Sequence, residues 1–507
     1  MIQRDSLCCY YFVAAEQAVA VNDAQAGGTP LWPFVRNSLY PILAHDVLTH
    51  AEDAARARII EHGEQSTARL GLPHGDHKHV SVEPFGASRS DKPILFLTRP
   101  IEHSGRTDDG FYAPIPDPWF ELALDVGPAV KIEFLENDSL LRQPRCHPTL
   151  LMPWPPQAHF DRTRPLFDRE ALPALRALFL PLVEFSRDVF GLELAPIFPR
   201  IAGELLSCMT LRTLFDQQFD RMAPRALALV CYYHTVGMAA TWAARARGLP
   251  VLELQHGTNG EHHPAYSHWT AVPEAGYEFL PDVFMTWGAA SSNNIQRWMP
   301  MTSHPHRSVV GGRPGLRSDP DRDSVAAALN QKYTALRGRF RKIVLLTLSR
   351  EPIAPFFTDL IAASPDDWFW AIRAHPVARE EEAVGSTPAG ISSKLADCGI
   401  ANAETEFASQ ASLATVLMWC DHHVTRQSSS YLEAAAFGVP TTFIASQART
   451  LYADALRKRQ CHYVDTTAEL IDTVESGWLG LDRSVESNLI MDIECARSAL
   501  SVALAKA

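Results

Sequence analysis

HHVTRQSSSYLEAAAFGVPTTFI, residues 422–444, is the stretch from which the fold can be read. Residues 422–425 suit a short strand. A polar loop follows, and an alanine-rich helical segment opens at Ser430. Gly438 closes that segment, because glycine tolerates the left-handed turn that ends a helix. Pro440 cannot continue it, and 441–444 is again strand-like. Strand, helix and strand in so short a span make a βαβ unit of a parallel sheet.

The same alternation extends outward in both directions. KIVLLT (342–347) and WFWAIR (368–373) are compact apolar runs with a helical segment at 356–363 between them. Helices are expected at 413–419, 451–459 and 468–477, with a helical tail beyond. In the other half, apolar runs at 93–98, 130–135, 226–232, 250–255 and 279–286 alternate with helical patterns at 169–190, 202–222 and 237–247. Short apolar runs of this kind suit strands buried on both faces. Residues 303–323 turn rich in Gly, Pro, Ser and Arg, the composition of a linker. The reading is α/β, with two Rossmann-like doubly wound domains. An N-terminal extension takes 1–90, a first lobe 91–305, a second lobe 306–480 and a C-terminal helical tail 481–507. Within the extension, 46–68 reads as a helix, 72–91 as a loop, and TPLWPFVR (29–36) as a segment packed on the first lobe. The proline-rich span 144–165 reads as an irregular crossing.

Composition narrows the function classes. The chain has 507 residues, 46% hydrophobic and 21% charged, which is globular and too long for one core. Its net charge of −12 argues against nucleic acid as a partner. Nine cysteines without a CxxC pair suit reduced thiols and give no zinc pattern. The first residues lack a basic segment leading into a long apolar one, and no run of 18 apolar residues occurs. The expected location is cytoplasmic.

Three constellations carry chemistry. LELQHGTNG (252–260) is a strand ending in Gln255-His256, with Gly257 opening a loop. Ligands of open α/β sheets sit beyond such strand ends. His256 can donate to a phosphate or sugar hydroxyl, or act as a general base; capping of the strand end is the alternative. In IRAHP (372–376), Pro376 holds His375 out of the helical region. Arg373 and His375 lie on one side of an extended strand and make a small cationic pocket for phosphate. In the opening stretch, Ser428, Ser429 and Ser430 precede a helix whose N-terminal amides attract anions. Glu433, one turn inside, can accept hydrogen bonds from ribose hydroxyls. Plain N-capping is the alternative for the serines.

Gln255-His256-Gly257, Phe279-Leu-Pro-Asp282 leading to Thr286-Trp287-Gly288, Arg373-Ala-His375-Pro376, and Ser428-Ser-Ser430 with Glu433 and Gly438-Val-Pro440 occur here in that order. The set resembles bacterial surface-polysaccharide glycosyltransferases of the two-lobed GT-B type, including Kdo-transferase-like capsule proteins. Sialyltransferases and CDP-glycerol glycerophosphotransferases are similar in the second lobe. The resemblance spans roughly residues 90 to 480. It implies a glycosyltransferase that moves a sugar from a nucleotide-sugar donor, CMP-linked by preference, to a glycan or lipid-linked acceptor at the inner face of the membrane.

The resemblance also implies roles. His375 contacts the donor phosphate and protonates the leaving group, with Pro376 beside it. Ser428 and Ser429 hold the phosphate, Glu433 lies near ribose or base, and His256 faces the cleft. The acidic base is drawn from Glu102, Asp108 and Asp109, in the loop after the first strand of the lobe. No metal and no cofactor are implied, since helix dipoles and side chains offset phosphate charge in this family. His262-His263 and His422-His423 lack further ligands at metal spacing, and Gly311-Gly312-Arg313-Pro314-Gly315 lacks the ending of a phosphate loop. Three other functions stay open. They are a nucleotide-sugar 2-epimerase, a CDP-glycerol-type transferase and a non-catalytic glycan-assembly protein.

Overall fold

The computed structural model describes residues 4–69, 91–100, 105–135, 145–298, 306–316, 324–348, 354–375, 387–477, 479–481 and 489–505. The first sheet contains β1 (Ile94–Thr98), β2 (Ala129–Leu135), β3 (Thr149–Pro153), β4 (Ala226–Val230), β5 (Val251–Leu254), β6 (Val283–Thr286) and β7 (Arg307–Val310). Its order is β7-β6-β5-β4-β1-β2-β3, parallel throughout. The second sheet contains β8 (Lys342–Thr347), β9 (Trp368–Arg373), β10 (Ala403–Glu404), β11 (His422–Thr425), β12 (Thr441–Phe443) and β13 (His462–Tyr463). Its order is β10-β9-β8-β11-β12-β13, also parallel. Both sheets start at a central strand, build outward, then return to the centre and build the other way. This is the doubly wound α/β pattern, and it occurs twice.

Each sheet is the middle of a three-layer sandwich. Side chains alternate across a strand, so Leu95 and Leu97 join one core while Ile94 and Phe96 join the other. In β8, Ile343 and Leu345 split from Val344 and Leu346 in the same way. Burial on both faces explains why these strands read as unbroken apolar runs.

The N-terminal segment is built into the first lobe. Helices Arg4–Ala18 and Trp32–Ile42 place Phe12, Trp32 and Phe34, all fully buried, in the same core as Leu95 and Leu227. A buried ion pair fastens them. The Arg36 guanidinium donates to the Glu16 carboxylate and to the carbonyls of Pro264 (3.1 Å), Ser267 (2.7 Å) and His268 (2.9 Å). Glu16 in turn accepts from Trp32 Nε1 at 2.8 Å and from the Thr270 amide at 2.7 Å. A buried charge pair is tolerable when hydrogen bonds satisfy both partners. Here both Glu16 oxygens and both terminal nitrogens of Arg36 are bonded, and these bonds tie the extension to residues 264–270.

The C-terminal tail returns to the first lobe. Helix Ile493–Ala505 sets Ala496, Ala499, Leu500 and Ala503 against Trp119, Phe120 and Met285. The outward and return crossings between lobes run side by side. The Arg313 amide donates to Ile490 O at 2.7 Å, and the Ile490 amide to Trp287 O at 2.9 Å. Gly312 sits at φ +73°, where a Cβ would lie 2.5 Å from Ile490 O, so the close passage requires glycine there.

The span 144–165 departs from the irregular crossing expected of it. Thr149–Pro153 is the edge strand β3, and Gln157–Leu166 is a helix. Prolines are compatible with an edge strand, which has a free hydrogen-bonding side, and with a first helical turn.

Candidate functional site

In a doubly wound sheet the crevice opens where strand order reverses, beyond the strand C-termini. In the first lobe that point lies between β1 and β4. Arg99 follows β1, Cys231-Tyr232-Tyr233-His234 follows β4, and Gln255-His256-Gly257 follows β5. The loop after β4 is tight. Cys231 takes φ +60°, and a Cβ on Gly237 would stand 2.6 Å from Cys231 O. His234 Nδ1 accepts from the Gly237 amide at 3.1 Å and caps helix Thr235–Arg245. Tyr233 and His234 are left half-buried at the rim.

His256 lies beside them. Its Nε2 is 3.3 Å from the Tyr233 hydroxyl, and the two rings stack at 6.0 Å. His263 meets the Tyr233 ring at 5.2 Å and the Tyr266 ring at 4.8 Å. Burial pushes His256 down to about 3, helped by the nearby His263 and Arg99. Burial takes His263 down to about 4 and holds His234 well below the usual imidazole range. All three rings are therefore neutral at physiological pH; Nδ1 of His234 and of His263 already accepts a backbone amide, from Gly237 and Ala265 respectively.

Gln255 is spent inside the lobe. It is almost fully buried; Nε2 donates to Gly257 O at 2.7 Å and Ser291 Oγ at 3.0 Å, and Oε1 accepts from the Trp287 amide at 2.6 Å. Its side chain holds the turn that presents His256 and Gly257.

In the second lobe the reversal lies between β8 and β11. Thr347 is in register with Arg373 on one side and Thr425 on the other. Parallel strands lie about 4.8 Å apart, so His375, two residues past Arg373, and Ser428, three past Thr425, share one rim. His375 is half-buried, as are Ser428 and Ser429. Ser430 is buried, with its Oγ 3.3 Å from Thr347 Oγ1 and 3.4 Å from His423 Nε2. Ser428 Oγ accepts from the Ser430 amide at 3.2 Å, opening helix Ser430–Ala436. The Arg373 guanidinium donates to the carbonyls of Ala408 (2.5 Å) and Ala411 (2.7 Å), which braces the loop behind the rim.

The two rims face each other. A Cβ on Gly257 would stand 4.0 Å from Ser429 Oγ in the other lobe. Arg313, on the outward crossing, pairs with Glu433, lies 4.7 Å over the Trp287 ring, and both partners are nearly buried. Trp287 and Leu316 share a core with Tyr431, Phe443 and Tyr452 of the second lobe. Of the residues named from sequence, His256 and Gly257 stand at one rim and His375, Ser428 and Ser429 at the other, while Gln255 and Ser430 are buried behind them. Asp108 is exposed, and its Oδ1 accepts from the Ser324 amide at 3.1 Å, capping helix Ser324–Arg337. Hydrogen bonds from the Ser324 side chain and then from its amide hold the Asp108 carboxyl below the usual range. Asp109 is exposed as well. Glu102 and Pro376 lie outside the described residues.

The paired histidines have other partners. His422 Nε2 is 2.8 Å from Thr442 Oγ1, and His423 Nδ1 is 3.0 Å from Thr441 Oγ1, both inside the second sheet. His262 Nδ1 is 2.8 Å from Ser6 Oγ. Asp117, Cys146 and His147 cluster closely, but Asp117 already pairs with the buried Lys131 and accepts from the Ala113 amide at 2.7 Å. Residues absent from the sequence reading are Arg99, Tyr233, His234 and the role of Glu253. Polar and aromatic residues at the end of an apolar strand, just before an alanine-rich helix, were the available signal.

No family model and no curated protein matches the chain. Solved structures with a similar course include a UDP-GlcNAc 2-epimerase from Neisseria meningitidis bound to UDP-GlcNAc, 12% identical, TM-score 0.48, covering 82% of this chain and 100% of that one. The UDP-GlcNAc 2-epimerase of Methanocaldococcus jannaschii is 11% identical, TM-score 0.46, covering 81% and 98%. Anabaena Alr3699/HepE in complex with UDP is 11% identical, TM-score 0.39, covering 81% and 94%. At such identity and overlap no activity passes from them to this chain.

Proposed function

We propose that the chain is a nucleotide-sugar enzyme whose donor lies between the two rims, and that it acts as a glycosyltransferase. The observation that carries this is the facing of two switch-point loops, Gly257 against Ser429, with neutral imidazoles on one side and hydroxyls and His375 on the other. Donor phosphate is held by Ser428, Ser429 and His375, with Ser430 and Arg373 setting their loops. Glu433 receives the ribose hydroxyls, exchanging its bond to Arg313. His256 takes the acceptor hydroxyl proton, the acceptor oxygen forms the new bond to the anomeric carbon, and the nucleotide phosphate leaves with the electron pair. Asp108 is set aside for this step because its carboxylate caps a helix. Kinship with surface-polysaccharide transferases, and with it a glycan or lipid-linked acceptor, rests on the ordered motifs.

One observation favours a second reading, a nucleotide-sugar 2-epimerase. His256 and His263 flank the Tyr233 ring, which offers two proton-transfer groups side by side. An epimerase moves a proton off and onto one carbon and needs no acceptor.

One experiment addresses both readings. The protein is incubated with CMP-, UDP- and GDP-sugars, UDP-GlcNAc included, with and without glycan acceptors. Acceptor-dependent release of nucleotide supports the transferase; an epimerised sugar formed from donor alone supports the second reading instead. Turnover that survives both His375→Ala and Glu433→Ala would reject the site.

A further inference from the structure

Glu253 is a carboxyl in the middle of β5, fully buried, on a strand whose other residues, Val251, Leu252 and Leu254, are apolar. Alternation along the strand points it away from Leu252 and Leu254 and toward the layer that holds Tyr232 and Tyr266. The Tyr266 hydroxyl donates to its Oε1 at 2.5 Å. Its Oε2 has no partner of hydrogen-bond geometry, and neither has His256 Nδ1, one turn of chain away. The two side chains approach at 3.7 Å, Nδ1 to Oε1. Buried polar atoms without partners are rare enough that each asks for a reason. Here two of them belong to neighbouring side chains, one of which is the imidazole at the cleft rim.

We propose that Glu253 is the positioning residue of His256: its carboxylate accepts a hydrogen bond from Nδ1–H, fixes the tautomer, and leaves the Nε2 lone pair facing the cleft. This rests on His256 being the base of the proposed reaction. The Tyr233 hydroxyl near Nε2 fits the same tautomer, since a hydroxyl that donates to Nε2 leaves the ring proton on Nδ1. When acceptor displaces Tyr233, Nε2 takes the acceptor proton, and the imidazolium is held by the Glu253 carboxylate through Nδ1–H. The proton moves from acceptor oxygen to Nε2, and no further reactant is required.

The ionisation that controls this pair is set by its surroundings. Burial pushes Glu253 up to about 8, against the Tyr266 hydroxyl and the Cys231 backbone, which favour the charged form. Tyr232, Tyr233, Tyr266 and Cys231 face Glu253, and Arg99, His234 and His263 face His256. The competent form has Glu253 ionised, so activity rises with pH through that ionisation and is highest above it.

The test is Glu253→Gln, which keeps shape and removes the charge, with Glu253→Asp as a second variant. In wild type, kcat rises with pH with a midpoint near 8. In Glu253→Gln it falls by about 10²–10⁴-fold and loses that midpoint, while donor KM stays within a few-fold. Glu253→Asp keeps a pH-dependent rise at reduced rate. Independently of any turnover, ¹⁵N shifts of His256 in the unliganded protein, recorded above pH 8 where Glu253 is ionised, read the tautomer. Nδ1–H in wild type that is lost or mixed in Glu253→Gln supports the proposal. An Nε2–H tautomer in wild type, or an unchanged pH profile in Glu253→Gln, overturns it. If no nucleotide sugar is turned over at all, the functional reading fails, and the tautomer measurement still decides the pairing.

Discussion

Arg313, on the chain leaving the first lobe, is ion-paired with Glu433, in the first turn of helix Ser430–Ala436 in the second lobe. The side chains are only 11% and 8% exposed, and Trp287 covers the guanidinium. The pair therefore sits at the crossing between lobes and on a residue assigned to the donor.

Removing one partner leaves the other charge buried. Arg313→Ala is expected to cost about 3–5 kcal/mol by urea unfolding. Arg313→Met with Glu433→Gln is expected to recover most of that. A loss in the double variant equal to that in the single one would mean that the charge pair is not the source.

Arg36 and Glu16 predict a parallel result with a different readout. Arg36→Met strands the Glu16 carboxylate and the carbonyls of Pro264, Ser267 and His268. A loss of about 3–5 kcal/mol is expected. Amide exchange should quicken through 261–272, the segment that carries His263. Quickening confined to the extension would contradict the brace.

The buried histidines predict acid sensitivity. His256 and His423 are pushed from the ordinary 6.5 down to about 3, His263 to about 4, and His234, His268 and His422 are lowered well below it. In each the folded pKa lies below the unfolded one, so below 6.5 the unfolded chain binds more protons. Stability is held above pH 6.5 and falls progressively as pH drops below it. Urea midpoints between pH 7.5 and 5 check this; a flat profile would contradict neutral burial. Glu253 has the opposite sign. Its folded pKa is raised, so its contribution is lost as pH rises from about 4.5 to about 8. Glu253→Gln should gain stability over wild type across that window.

Much of this was legible in the sequence because most strands are short apolar runs set between helical patterns. Residues 342–347, 368–373 and 422–425 matched β8, β9 and β11 to the residue. Strand β3 was hidden because prolines mask an edge strand, and β10 and β13 because two residues carry no periodicity. His256 and His375 stood out because each follows an apolar run, and Ser428 because serines precede an alanine-rich helix. The Arg313–Glu433 pair spans 120 positions, and no local pattern encodes it. Glu253 was visible inside its motif, but its inward face follows only from the pairing of β5 with β4 and β6.

Calorimetric titration of the protein with UDP, CMP and GDP decides whether the facing rims hold a nucleotide. The account predicts one nucleotide bound at a single site. It predicts that affinity falls by about tenfold or more, roughly 1.4 kcal/mol, in His375→Ala and in the Ser428→Ala Ser429→Ala double variant. Absence of binding by all three at millimolar concentration, or binding left unchanged by these substitutions, would contradict it.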